Sequence, residues 1–417
     1  MLQVTKNSWA LLLGMGLLMI ANGMQGTLLG IRGEIEAFST TEMSIVISAY
    51  FAGFLGGSRM APEMIRRVGH VRVFAALASM ISAVMILYPM APDPWVWTFG
   101  RVLIGFCFSA VYVTAESWLN NATSNETRGQ ALSVYMIVQT AGIVLAQALL
   151  LAADPSGYVL FVIPSILVSF AITPILLSIS PTPAFETTKP TRIKELMSYS
   201  PLGLVGMFLL GGIFSAQFGM SAVYGTEANL SIAQISTFVS TFFIGAIITQ
   251  FPIGWLSDRM DRRKLIIIVS VLGCAGAIAG ALYGDSFTVL LIAAFMMGGT
   301  SNPLYSLLIA HTNDFLDPDD MAGASGGLVF INGLGAISGP LITGWAMSAF
   351  GPSGFFWFTI MLFASLVFYG LYRMTVRAAV PVEDTAGYVP VMPAAGAMAV
   401  EVAQDIAIEE ARDEASE

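Results

Sequence analysis

Six of the seven residues from Asp258 to Lys264, within the stretch LSDRMDRRKL, carry charge in a chain where only 11% of residues do. Such a run can form ion pairs or fix the side of a membrane on which a segment stays. Two further ions stand alone within apolar sequence, Arg101 and Glu116. A guanidinium does not deprotonate at working pH, so Arg101 must face a partner, an anion or water. A carboxyl such as Glu116 can take up and release a proton. Amides form the third group: Asn22, Gln25, Gln139, Gln217, Asn302 and Asn332. An amide both donates and accepts, which suits it to a polar solute and equally to a bond between neighbouring helices.

The elements that must carry these groups follow from composition. The chain has 417 residues, 56% of them hydrophobic, with a mean hydropathy of +0.77. A soluble domain of this size carries roughly a quarter charged residues. The long apolar runs therefore place the chain in the membrane class. The net charge of −9 sits mostly in the last forty residues, where nine acids and Arg412 give −8. No basic patch with interleaved aromatics is present, so nucleic acid is excluded as a partner. Cys107 and Cys274 both lie in apolar runs and read as small core residues. No ligand spacing for a metal and no phosphate-binding loop is found, so no cofactor is expected.

A bilayer core of about 30 Å takes roughly 20 apolar residues per helix. On that ruler twelve spans are expected, at 8–31, 41–60, 72–92, 95–118, 130–153, 157–180, 202–224, 232–256, 264–283, 286–310, 322–346 and 353–375. The first follows Lys6 and is too long for a signal-peptide core, so it reads as an uncleaved helix. With both termini inside, sixteen of the eighteen Lys and Arg fall on the inner side, and only Arg32 lies outside. The reading is thus an all-α membrane protein of two six-helix bundles. Residues 1–180 form the first bundle, 181–201 a central cytoplasmic loop and 202–376 the second bundle. Residues 377–417 form an acidic tail, expected to be disordered apart from a transient amphipathic helix within 396–415. The halves align at an offset of about 192–194, and paired halves are a mark of secondary transporters.

Residues 254–264, GWLSDRMDRRK, resemble the cytoplasmic signature of the major facilitator superfamily, Gly-x-Leu-Ala/Ser-Asp-Arg-x-Gly-Arg-Arg/Lys-Lys. Gly254, Leu256, Ser257, Asp258, Arg259, Arg262, Arg263 and Lys264 fit, whereas Asp261 stands where the pattern has Gly. The first copy, GGSRMAPEMIRRVGHVR, keeps Gly57, Gly69 and Arg72 but has no acid at the position of Asp258. Arg101 and Gly105 match the Arg-x-x-x-Gly of the family's fourth helix. The stretches RRVGHVRVFAAL, AESWLN and RGQALSVY look most like the YcaD-like bacterial branch. The resemblance implies a carrier that works by alternating access in the bacterial inner membrane. It also implies a cytoplasmic gate built on Asp258, with Gly254, Arg259, Arg262, Arg263, Arg66, Arg67 and Arg128 around it.

The expected substrate path holds Asn22, Gln25, Arg101, Gln139, Gln217, Asn302 and Asn332, for a small polar solute. Glu116 and Arg101 are the candidates for proton coupling, and a Glu116–Arg128 ion pair is the competing reading. The expected partners are the solute, protons and the lipid bilayer, with the chain a monomer. A Gly-x-Ser-x-Gly match at 323–327 has no strand before it, so an enzyme is not expected. Two alternatives stand beside the carrier: a non-transporting sensor or assembly factor on a transporter fold, and a drug-efflux antiporter. The antiporter is disfavoured because span five lacks the family's Gly-Pro pair.

Overall fold

A computed structural model of the chain describes residues 2–123, 125–177, 193–316, 318–381, 385, 387–393 and 396–414. Most of the expected central loop, with Lys189 and Arg192, lies outside these residues. Fifteen α-helices are described: α1 (Leu2–Ile35), α2 (Thr40–Val68), α3 (His70–Met90), α4 (Pro94–Asn121), α5 (Asn125–Leu149), α6 (Val159–Leu177), α7 (Ile193–Tyr199), α8 (Pro201–Ser215), α9 (Ser221–Glu227), α10 (Ile232–Ser257), α11 (Arg262–Tyr283), α12 (Phe287–Asn313), α13 (Pro318–Phe350), α14 (Gly354–Val376) and α15 (Ala397–Glu414). No strand occurs among the described residues, in keeping with the all-α expectation. The Gly-x-Ser-x-Gly match lies inside α13.

The polar breaks act as caps. Ser39 opens α2 with a capping box, its side chain accepting from Glu42 N while its own N–H donates to the Glu42 carboxylate at 2.8 Å. Asp93 caps α4 ahead of Pro94, and Ser200 caps α8 ahead of Pro201. Gly69 joins α2 to α3 with φ of 83°, a backbone conformation open to glycine at no steric cost. Between α8 and α9 the helix continues through a π-turn, Ala216–Met220.

Among the described residues, eleven helices are long and apolar enough to cross a membrane. The expected second span, within α2, is not among them. Ser44, Ser48, Ser58 and Arg59 lower its hydropathy although the helix runs to 29 residues. Large apolar side chains such as Phe251, Phe170 and Phe368 are exposed on the surface, as a lipid-facing surface requires.

The chain forms two compact units, and their limits differ from the expected bundles. The first holds residues 1–187 with 218–240 and 340–352; the second holds 188–217, 241–339 and 353–417. In the first unit α1 packs on α5 and α6, α2 on α4, and α3 on α4 and α6. Segments from late in the chain join it at one end. There α9 packs on α1, Gly30 faces Ala222, Gly344 faces Ser44, and Thr40 Oγ1 donates to the Glu227 carboxylate. Arg32, also in this unit, donates to the carbonyls of Pro155, Ser156 and Gly157 and pairs with Glu36.

In the second unit α11 packs on α12 and α14, and α8 on the same two helices. The described part of the tail belongs to this unit, and its helix α15 falls within the stretch 396–415 where a helix was expected. Helix α15 presents Ala399, Val400, Ala403 and Gln404 as a buried face. Enough apolar side chains lie at helical spacing to dock it, despite the acidic overall composition.

Small residues set how closely helices approach. A Cβ on Gly53 or Gly57 would strike the carbonyl oxygens of Val102 or Phe106 on α4, and one on Gly105 would strike that of Tyr50. Backbone cannot give way there as a side chain can. Gly105→Val is therefore expected to cost about 1–3 kcal/mol by overpacking. Gly26, where a Cβ meets open space, should accept Ala with no loss. Thermal unfolding midpoints of the two variants in detergent check the contrast, and equal midpoints would refute it.

Candidate functional site

Residues of α1, α2 and α4 meet in a polar chain inside the first unit. Asn22 and Gln25 are one turn apart on α1, and Gln25 Nε2 donates to Asn22 Oδ1 at 3.1 Å. Asn22 Nδ2 donates to the Tyr112 hydroxyl at 3.0 Å and reaches the Tyr50 hydroxyl at 3.5 Å. At the other end of the chain Arg101 Nη1 donates to Gln25 Oε1 at 2.7 Å. Its guanidinium lies 4.5 Å from the centre of the Tyr50 ring. Arg101 is only 5% exposed, and its Nε has no hydrogen-bond partner. Among the described residues no carboxylate pairs with it. Tyr50 and Tyr112 were not singled out in the sequence, because a tyrosine in an apolar run reads as core.

The second unit treats its amides unequally. Gln217 sits in the π-turn, where Ser301 Oγ donates to its Oε1 at 2.8 Å and its buried Nε2 is left without a partner. Turns of this kind recur at functional sites. Asn302 and Asn332 instead spend their amides on backbone, at Gly298 O (3.3 Å) and Met207 O (3.0 Å). The latter bond straps α13 to α8. Gln139 is buried on α5, and Glu116 is buried on α4 near Tyr112 and Tyr135. Cys107 and Cys274 are free thiols on α4 and α11.

The charged run forms a helix-end cluster in the second unit. Asp261, out of pattern in the signature, is the N-cap of α11 and accepts from Arg263 N at 2.9 Å. It also holds the Arg263 guanidinium through two bonds of 3.1 and 2.8 Å. Burial works to raise the Asp261 pKa, but the Arg263 bonds with the Arg263 and Lys264 charges carry it below the usual value. Arg263 Nη1 donates to Arg377 O at 2.7 Å, and Arg377 Nη1 to Tyr199 O at 2.6 Å. Arg259 stacks on Trp255, 4.4 Å from the ring centre.

Arg262 is the centre of the cluster. Its side chain is 2% exposed and pairs with Asp314, itself 3% exposed, with further bonds to Ser257 Oγ (3.1 Å) and Ala310 O (3.3 Å). Asp258 stands 3.5 Å from Arg262 with a side chain 42% exposed. The signature acid is thus the outer partner. Asp314, at the C-terminal end of α12, is the inner one. In the first copy Arg66 and Arg67 pair with Glu63 at 2.8 and 2.5 Å, all three exposed. Those two arginines hold the Glu63 carboxyl down at about 2.

Membrane-crossing helices in two units, each with a basic cluster between helix ends, define a membrane transporter. The Major Facilitator Superfamily model matches residues 11–231 and 202–401, and the chain belongs to that family of secondary transporters. Within it the chain is YcaD-like. It is 24% identical to an uncharacterized MFS-type transporter of Enterobacter sp. (strain 638), over 88% of this chain and 95% of that one. It is also 24% identical to the uncharacterized MFS-type transporter YcaD of Escherichia fergusonii, over 84% and 91%. Among solved structures it resembles the nucleoside transporter NupG, with a TM-score of 0.71 at 14% identity over 88% of this chain and 98% of that one.

Losing one partner of a buried ion pair costs about 3–5 kcal/mol, whereas half-exposed pairs are worth about 1 kcal/mol or less. Asp314→Asn is therefore expected to lower the unfolding midpoint far more than Asp258→Asn. Equal losses would remove the assignment of Asp314 as the principal partner of Arg262.

Proposed function

We propose that the chain is a twelve-span carrier of the bacterial inner membrane that moves a small polar solute bearing an anionic group by alternating access. One observation carries the reading: the buried, acid-free guanidinium of Arg101. An unpaired charge removed from water costs several kcal/mol. An anionic group bound between Arg101 and the Gln25–Asn22–Tyr112 chain offsets that cost. The amides and phenols then supply donors and acceptors to the rest of a polar solute.

The remaining parts of the proposal have their own supports. Helix α2 counts as the twelfth span because it packs along α4 through Gly53 and Gly57. The basic helix ends lie in the cytoplasm because cytoplasmic loops carry an excess of Lys and Arg. Glu116 is the acid available on α4 for proton coupling.

A metabolite comparison between a deletion strain and its parent identifies the solute, and uptake into proteoliposomes then tests the site. Arg101→Gln is expected to raise KM by about 30-fold or more, the equivalent of about 2 kcal/mol. Arg101→Lys, which keeps the charge without the planar fork, should fall between it and the parent. An anionic solute carried equally well by all three proteins would overturn the reading. Coinciding metabolite profiles and no uptake would favour the sensor alternative.

A further inference from the structure

At the basic end of the second unit, the ends of α8, α11, α12 and α14 leave a cleft lined by Arg263, His311, Phe315, Arg373 and Arg377. All of its lining residues belong to that unit. Its space, counted to the open mouth, is about 270 Å³. Pockets that enclose a whole small ligand run from about 300 to 1,000 Å³. This one suits a single ionic group whose owner stays mostly outside.

The three guanidiniums are unequally spent. Arg263 is held by the Asp261 carboxylate and the Arg377 carbonyl. Arg377 gives Nη1 to Tyr199 O and lies 3.9 Å from the centre of the Phe315 ring. The Arg373 side chain has neither a hydrogen bond nor an ion pair among the described residues. No acid lines the cleft among the described residues. His311 is 5% exposed and meets Phe315 edge to face at 5.1 Å. No described residue hydrogen-bonds to its imidazole. An imidazole always keeps at least one N–H, so a buried donor is left facing the cleft. The first turn of α8, from Ser200 to Leu202, adds the positive end of a helix dipole.

The described tail residues beyond Ala378 dock on other helix faces. Tyr388 lies over Gly254 on α10, where its hydroxyl accepts from Gln250 Nε2 at 2.9 Å and its N–H donates to Asp258 Oδ1 at 3.0 Å. Val391 N donates to Ser306 Oγ on α12 at 2.9 Å. Neither residue lines the cleft. What adjoins it is apolar: Phe368, Leu371, Tyr372 and Val376 run down one side of α14 as exposed side chains. An acyl chain can lie along that strip while its headgroup enters the cleft.

We infer that this cleft binds the phosphate of an anionic phospholipid, with Arg373, Arg377 and His311 as its donors. A phosphodiester carries one negative charge, and two of its oxygens match the fork of a guanidinium. Basic pockets between membrane helices suit such headgroups. A zwitterionic headgroup brings an ammonium as well, which finds no acid in the cleft. The site is independent of what the chain carries, and binding alone tests it.

Short-chain phosphatidylglycerol, phosphatidylethanolamine and inorganic phosphate are each titrated into the delipidated full chain in neutral detergent, with the thermal unfolding midpoint as readout. Phosphatidylglycerol is expected to raise the midpoint at concentrations where the other two do not. Arg373→Gln is expected to leave the lipid-free midpoint unchanged, because that side chain has no partner to lose. The same variant should weaken the lipid's affinity about tenfold, whereas Arg373→Lys keeps most of it. Lys264→Gln removes the same charge from an exposed position outside the cleft, and should weaken the lipid by about twofold or less.

Equal losses in Arg373→Gln and Lys264→Gln would reduce the effect to diffuse attraction by a basic surface and overturn the site. An equal response to phosphatidylethanolamine would overturn it too, since charge then selects nothing. Inorganic phosphate that raises the midpoint as far, and blocks the lipid's effect, would assign the cleft to free phosphate and refute the lipid. A lower lipid-free midpoint for Arg373→Gln with an unchanged lipid response would make Arg373 structural, which also refutes the inference.

Discussion

A guanidinium keeps its charge at any working pH, so every arginine carried into an apolar surrounding must be answered by other groups. Two arginines in this protein are equally buried and answered differently. Arg262 has a buried carboxylate, a second carboxylate beyond it, a hydroxyl and a carbonyl. Such a set repays the cost of desolvation and leaves nothing to offer a ligand. Arg101 has one neutral amide and the face of a ring, with Nε unbonded. The first pattern is that of a structural joint; the second leaves a donor unused, and the proposed site rests on it. Burial does not separate them; the tally of partners does.

The Arg101 site depends on how closely two helices cross. Gly105 lies against the carbonyl of Tyr50, and Gly53 against that of Val102. The crossing that these glycines permit brings α2 onto α4 one turn from Arg101 and sets the Tyr50 ring beside its guanidinium. On α4 itself Arg101 and Tyr112 are eleven residues apart, about 16 Å along the axis at 1.5 Å per residue. That span is bridged by the Asn22–Gln25 pair on α1. The proposed solute, lying along α1, would meet a cation at one end and phenol hydroxyls at the other.

Much of the architecture was legible because it depends on local sequence. Apolar runs marked each of the eleven described helices long and apolar enough to cross a membrane, and the breaks between helices hold the Ser39, Asp93, Ser200 and Asp261 caps. Helix α2 was read as a span although its serines and Arg59 keep it from standing out by hydropathy alone. What sequence did not disclose was pairing at a distance. Asp314 lies 52 residues from Arg262, and no local pattern names it as a partner. Tyr50 and Tyr112 look like packing until Asn22 is found between their hydroxyls. Asp261 looked like a damaged signature, yet an acid at that position caps α11 and fixes Arg263. The tail was read by composition, and composition averages over an acidic surface and a narrow apolar face. The alternation of Ala399, Val400, Ala403 and Gln404 was present in the sequence, but its docking surface was not.

The two copies of the charged signature show why the tail belongs to one half. In the first, Glu63 pairs with Arg66 and Arg67 at the solvent-exposed surface, where salt bridges contribute little. In the second, the buried Arg262–Asp314 pair and the Arg263–Arg377–Tyr199 bonds tie the ends of α7, α11, α12 and α14 together. A segment can be captured only by groups that are already held in place, because ordering both sides at once costs too much entropy. The fixed end presents Asp258, Gly254, Gln250 and Ser306 in one arrangement, and the tail uses all four. The degraded first copy and the docked tail thus go with one asymmetry: the first copy is paired at the surface and the second through a buried pair.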